Sequence, residues 1–190
     1  YNAALLLDGG GIAAVRFKCD LPNYGVFDEK RVFAAGPLPD PIVFRGDAQL
    51  GVMICEDMWT PRVAAHLAEG GAELLVVPNG SPFETDKPGV RHTLAAERTT
   101  ETGLSLLSVN LVGGQDELVF DGASFVWDPA EGLRAGAPAW QEGVTRTQWQ
   151  RAVDVFWTCT AAPIDGDDDG MESVYHAMAV GLRDYVEKNR

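Results

Sequence analysis

Residues 51–59 read GVMICEDMW: an apolar run, a cysteine, two acids, then an aromatic ahead of Thr60-Pro61. The run 50–54 has the length and character of a buried strand. Thr60 followed by proline marks a helix start with proline at the first helical position, and Gly70-Gly71 marks its end. A side chain placed between such a strand and such a helix has the geometry of a nucleophile elbow. It is exposed at the sheet edge, with the next backbone N–H groups aimed at the same spot. The neighbouring acids speak against reactivity, because carboxylates beside a thiol raise its pKa and disfavour the thiolate. Cys55 is therefore either an inert core residue, free cysteine being among the most buried residue types, or a nucleophile activated from elsewhere in the chain.

Outward from this point the pattern alternates. Residues 72–78 (AELLVVP) read as a strand buried on both faces. Residues 89–102 read as a helix, and 104–112 and 123–128 as further strands. Strand, helix, strand, helix, strand describes an α/β layered domain. Upstream, 2–7 and 12–18 form two strands joined by Asp8-Gly9-Gly10-Gly11. No helix opens after the glycines, so a hairpin turn fits and a dinucleotide-binding fingerprint does not. Alternation in the second strand puts Val15, Phe17 and Cys19 on one face and Arg16 and Lys18 on the other. Lys18 leads into LPNYGVFDEKRVF, dense in turn formers and aromatics, a type of loop that often carries function. The signal weakens over 129–170, where Trp140, Trp149 and Trp157 sit among polar residues. Residues 165–170 (DGDDDG) read as an acidic linker, and 171–188 as an amphipathic helix with Val174, Met178, Leu182 and Tyr185 on one face.

The bulk numbers narrow the function classes. With 190 residues, 46% of them hydrophobic, the chain can bury a core and is not disordered. A net charge of −13 argues against nucleic acid or anionic membrane as partner. No apolar stretch approaches a membrane span, and the first residues are not a signal peptide. Three cysteines without a secretion signal point to the reducing cytoplasm. The opening Tyr1, without Met and already strand-like, reads as part of a longer polypeptide. Other chemistries fit poorly. His66, His92 and His176 lack a motif that would pair them with the cysteine. Cys55, Glu56, Asp57 and His66 give no closed zinc set. Asp165, Asp167, Asp169 and Gly170 match the opening of a calcium loop, but its twelfth position is His176 rather than glutamate.

Five segments together resemble the nitrilase-like glutaminase domain of glutamine-dependent NAD synthetases: KCDLPNYGVFDEKRVF (18–33), GVMICEDMW (51–59), PNGSPFETDK (78–87), RTTETGLSLLSVNLVGGQDELVFDG (98–122) and VYHAMAVGLRDYV (174–186). The resemblance covers about 1–128 and 171–190 and leaves 129–170 poorly matched. Other nitrilase branches share only the lysine and the cysteine, in looser contexts. It implies a four-layer αββα sandwich, of which these residues form the C-terminal part. Residues 1–160 would belong to the glutaminase domain, and 161–190 would be an acidic linker and connector helix leading to a synthetase domain.

The resemblance also answers the opening question. By position Cys55 looks like the family nucleophile, Lys18 like its lysine, and Glu29 like the second glutamate that holds the lysine and the incoming amide. An ammonium near Cys55 would favour the thiolate and offset the local acids. With the backbone N–H of Glu56 it would stabilise a tetrahedral oxyanion. Tyr24, Ser81 and Lys87 match positions lining the glutamine pocket, with Arg91 a nearby alternative to Lys87 for the substrate carboxylate. Glu56 and Asp57 begin the turn into the helix and need not face the thiol. Cys19, set opposite Lys18 by alternation, is the poorer nucleophile. The implied reaction is glutamine hydrolysis that supplies ammonia for ATP-dependent NAD synthesis from nicotinic acid adenine dinucleotide. ATP and Mg are expected only in the synthetase domain, in the same or a partner chain, with no metal or cofactor in this one. A homo-oligomer is also implied. Two features depart from the pattern: the family's base glutamate lies well before its lysine, in sequence this chain does not contain, and no SGGxDS-like ATP loop is present. The 190 residues alone are accordingly expected to be inactive. The rival readings are a stand-alone nitrilase-type amidase and a non-catalytic remnant acting as a binding or regulatory module.

Overall fold

Glycine conformation makes the first turn. β1 (Ala3–Asp8) and β2 (Gly11–Phe17) pair antiparallel, and the hairpin is closed by Gly9 and Gly10 at φ 58° and 81°, a region open to glycine without steric cost. This is a computed structural model that describes residues 1–46, 48–151, 156–164 and 170–190. In chain order there follow α1 (Glu29–Val32), β3 (Ile42–Phe44), β4 (Ala48–Val52), α2 (Pro61–Glu69), β5 (Leu74–Asn79), α3 (Lys87–Thr102), β6 (Leu106–Asn110), β7 (Val112–Gln115), β8 (Leu118–Asp121), β9 (Phe125–Asp128), β10 (Gly132–Gly136), β11 (Gln148–Arg151), β12 (Trp157–Ala161) and α4 (Gly170–Lys188).

The central sheet has the strand order β10-β9-β6-β5-β4-β3. β4, β5 and β6 run parallel, joined by α2 and α3, while β3, β9 and β10 pair antiparallel with their neighbours. Parallel pairs need such crossovers. All three parallel strands therefore end on the same side, with Cys55, Gly80 and Leu111 just beyond them. Val63, Ala64 and Leu67 of α2 and Ala95 of α3 close over Leu75, Val77, Leu106 and Phe125, together with Met53 and Met58. On the opposite face the β11–β12 hairpin brings Trp149 and Cys159 against Leu107, Val126 and Ala135.

Several boundaries differ from the sequence expectation. β5 is fully buried on one face only: Leu75 and Val77 are inaccessible, while Leu74 and Val76 are half-buried. The single strand expected over 104–112 is two. Leu111 bonds back to Asn79, and β7 leaves to pair with β8. The unordered stretch 129–170 supplies β10, β11 and β12. Trp140 is buried there, edge-on to Phe83 and stacked on His176. The acidic run 165–169 lies outside the described residues. α4 forms, but with a different face inward. Ser173, Val180 and Asp184 are buried, whereas Met178, Leu182 and Tyr185 are 62–70% exposed. The cause lies in β7, which reads Val-Gly-Gly-Gln. A Cβ on Gly114 would sit 3.1 Å from the Gly181 Cα, so the helix approaches bare backbone. It fastens there by polar bonds, with Asp184 Oδ2 accepting the Gly114 N–H at 2.7 Å and Lys188 Nζ donating to the Gly114 carbonyl at 2.5 Å.

Gly51 has a packing role. A Cβ there would meet Leu75 at 3.0 Å, Ala72 at 3.1 Å and Leu67 at 3.3 Å, because α2 closes directly over β4. Gly51→Ala is expected to destabilise by about 1 kcal/mol, the low end of overpacking. Urea unfolding would check this, and an unchanged midpoint would contradict the packing account.

Candidate active site

β4 stops at Val52, and Cys55 opens a single 3-10 turn, Cys55–Met58, ahead of α2. Its φ is +50°, a conformation rare for residues with a Cβ and concentrated where a structure over-determines it. Arg45, Asp116, Ala123 and Trp140 share this region; Cys55 is distinguished by carrying a thiol at a strand–helix junction. Thr60 precedes α2 without a side-chain cap bond. Its hydroxyl donates to Asp20 instead, at 3.2 Å.

Lys18 leaves β2 beside this turn and is 1% exposed. A buried ammonium needs a charged partner, and Lys18 Nζ donates to Glu29 Oε1 at 2.6 Å. Both groups act on Cys55. Burial pushes the thiol up, most strongly of all the influences. The Lys18 ammonium and the Gly80 N–H pull it down, and the Glu56 and Glu29 carboxylates push it up. Lys18 opposes the local acids, but burial outweighs the ammonium and the net push on the thiol is upward.

The two acids after Cys55 have other partners. Glu56 accepts the Tyr24 hydroxyl on both oxygens, at 2.8 and 2.9 Å. Burial pushes the Glu56 carboxyl up while Tyr24 and Lys18 pull it down. Asp57, 1% exposed, reaches back to the Ile54 N–H and across to the N–H groups of Cys19 and Asp20. A cleft of about 650 Å³ opens beside Tyr24 and Glu56. Cys55 and Lys18 are not in its walls.

Ser81 follows β5 and is buried; its N–H donates to Asn110 Oδ1 at 2.9 Å. Lys87 opens α3 and sets its ammonium 5.2 Å from the centre of the Trp59 ring, four residues after Cys55. Lys18, Glu29, Cys55 and Glu56 thus converge, with Tyr24 joined through Glu56 and the Ser81 segment through Gly80. Arg91, the alternative to Lys87, does not join them. It is 4% exposed and its guanidinium is paired with Asp121, so it is not available to a substrate carboxylate. Cys19 is buried with its thiol donating to the Pro37 carbonyl at 3.1 Å, and desolvation pushes it up to about 11. His92 packs edge-on against Phe125. The reach of Asp57 and the Asn110–Asp121 pair were missed in the sequence. A polar residue closing the apolar run 104–109 was the available signal for Asn110; no spacing rule links Asp57 to residues 37 and 38 positions earlier.

The carbon-nitrogen hydrolase model matches residues 1–154. The chain belongs to the carbon-nitrogen hydrolase family. Among its relatives is the glutamine-dependent NAD(+) synthetase of Rhodobacter capsulatus, 44% identical over 100% of this chain and 34% of that protein. The chain spans about a third of the length of the relatives it matches. Among solved structures, glutamine-dependent NAD+ synthetase from Acinetobacter baumannii, determined with adenosine diphosphate, superposes with TM-score 0.86 at 34% identity, over 98% of this chain and 35% of that one. A mutant of the amidase from Nesterenkonia sp. AN1, determined after Michael addition of acrylamide at its active site cysteine, gives TM-score 0.56 at 33% identity, over 68% of this chain and 49% of that one. This carbon-nitrogen hydrolase chain therefore has the α/β, nitrilase-like sandwich class expected from its sequence, ending in a helix. Among the described residues no helix is long and apolar enough to cross a membrane.

Proposed function

We propose that the chain carries the glutamine-hydrolysing site of a glutamine-dependent NAD synthetase, with Cys55 as nucleophile. The observation that carries this reading is the elbow: a thiol at positive φ, at the end of a parallel strand, acted on by a buried Lys18 and its half-buried partner Glu29. Burial pushes the thiol up, and attack on the amide needs a base to take its proton. In this reading the base is the glutamate that the family carries ahead of its lysine. As the proton leaves, sulfur bonds to the amide carbon, and the oxyanion is met by the Lys18 ammonium and the Glu56 N–H. Collapse breaks the C–N bond, the proton returns to the departing ammonia, and a γ-glutamyl thioester remains. Water then attacks the thioester, releasing glutamate and the thiol. Glu29 holds Lys18 and orients the amide; Tyr24, Ser81 and Lys87 line the pocket. ATP and Mg act in the synthetase domain, which α4 connects to the glutaminase site. A homo-oligomer in the cytoplasm completes the reading.

Likeness to the amidase supports a second reading, in which the same thiol hydrolyses another carboxamide. Ammonia release from glutamine compared with simple amides separates the two. The test of the nucleophile is covalent. A diazoketone or chloroketone analogue of glutamine is expected to label Cys55 ahead of Cys19 and Cys159, which are 5% and 2% exposed. Peptide mapping that placed the label mainly on Cys19 would overturn the assignment.

A further inference from the structure

We propose that Asp57 is a positioning residue that sets the separation of Lys18 and Cys55 by holding the backbone beside each in one carboxylate. Its Oδ1 accepts the N–H of Cys19 at 3.0 Å and of Asp20 at 2.7 Å, and its Oδ2 accepts the N–H of Ile54 at 2.9 Å. Cys19 follows Lys18 directly, and Ile54 precedes Cys55 directly. A single buried side chain therefore bridges the end of β2 and the elbow, two segments that no strand ladder among the described residues joins. The bond to Ile54 also folds the turn back on itself next to the positive φ of Cys55, and such a conformation persists only where neighbouring contacts over-determine it. An ionised carboxylate suits this place because it only accepts, and both oxygens face donors. An amide would turn an NH₂ group toward one of the N–H groups.

The inference rests on Lys18 serving Cys55 as proposed above. Its test separates geometry from charge. The groups acting on the thiol are Lys18 at the end of β2, Glu29 on α1, Glu56 on its own turn and the Gly80 N–H after β5. Loss of a nearby negative charge by itself would move the Cys55 inflection to lower pH; a displaced ammonium would move it to higher pH. The measurement is the rate of Cys55 carbamidomethylation by iodoacetamide against pH, read by peptide mapping on the intact protein. Wild type is compared with Asp57→Asn, Asp57→Glu, Lys18→Met and the double variant Lys18→Met/Asp57→Asn.

Asp57→Asn is expected to shift the curve upward by about one pH unit, a tenfold slowing below the inflection. Asp57→Glu, with charge unchanged and one methylene added, is expected to shift it the same way, and it serves alone if the asparagine variant does not fold. In the Lys18→Met background Asp57→Asn should add nothing, because residues that act through one another are not additive. A downward shift, an unmoved curve in folded Asp57→Glu, or additive slowing in the double variant would overturn the clamp. If Lys18→Met itself leaves the curve unmoved, the Lys18–Cys55 reading fails and the clamp fails with it. An effect of Lys18→Met with none from either Asp57 variant removes the clamp alone.

Discussion

On the glutaminase reading proposed above, Lys18→Met is expected to lower glutamine turnover by about 10²-fold or more, the usual cost of losing one oxyanion donor, while synthesis driven by free ammonia persists. Lys18 is 1% exposed, is bonded to Glu29, and its charge bears on the Cys55 thiol. Its ammonium can act on the thiol before attack and on the oxyanion during it. Methionine keeps most of the side-chain volume and removes the charge, so Glu29 loses its cation and Cys55 the strongest influence pulling its thiol down. The sign follows: without the ammonium the thiol inflection rises, and the limb of the rate profile that depends on thiolate moves to higher pH. Lys18→Arg is expected to restore little, because a planar guanidinium is larger than the compact ammonium this enclosed site holds. Steady-state rates with glutamine and with ammonium chloride check the expectation. Equal loss with both nitrogen sources would instead mean that the substitution damages the fold.

The alternation of apolar runs with capped helical segments made the parallel core legible in sequence. β4, α2, β5, α3 and the first half of the strand predicted over 104–112 are where the pattern puts them, to within a few residues. The convergence of Lys18 with Cys55 was legible only through the family resemblance, because hairpin and elbow are far apart along the chain. What stayed hidden depends on backbone and buried polar contacts rather than on hydrophobic period. The helix over 171–188 forms, but the apolar face of Val174, Met178, Leu182 and Tyr185 is not the one that docks. The helix docks instead through Gly181 and Asp184 onto a glycine backbone, a surface whose sequence carries no apolar signal. In the described part of 129–170 the strands are short, and some of the contacts are single aromatics meeting distant partners, such as Trp140 against Phe83 and His176. Arg91 looked like a substrate ligand because it lies one helical turn beyond Lys87, and nothing local marks Asp121, thirty residues on, as its partner.

That pair carries the largest stability effect. Arg91 and Asp121 are 4% and 3% exposed. The guanidinium also donates to the Gly122 carbonyl at 3.4 Å, and Asn110 Nδ2 donates to Asp121 Oδ1 at 3.2 Å. Arg91 Nε is buried with no hydrogen-bond partner among the described residues, so the cation depends heavily on this one carboxylate. Asp121→Ala would leave a buried charge uncompensated, at about 3–5 kcal/mol, a large part of the roughly 5–15 kcal/mol that holds a domain folded. Replacing both partners, as Arg91→Met with Asp121→Leu, removes the charge together with its counter-ion and is expected to recover most of that loss. Function should not recover with it. Asn110 fixes Ser81 by accepting its N–H at 2.9 Å and donating to its carbonyl at 3.3 Å, and Asp121 holds the Asn110 amide in that orientation. With Asp121 absent, KM for glutamine is expected to stay raised even where stability has returned. Urea unfolding of the single and double variants, followed by glutamine kinetics on the double, separates the two roles. A cost below about 1 kcal/mol for Asp121→Ala would place the pair among weak surface bridges and remove the argument that it supports the Ser81 segment.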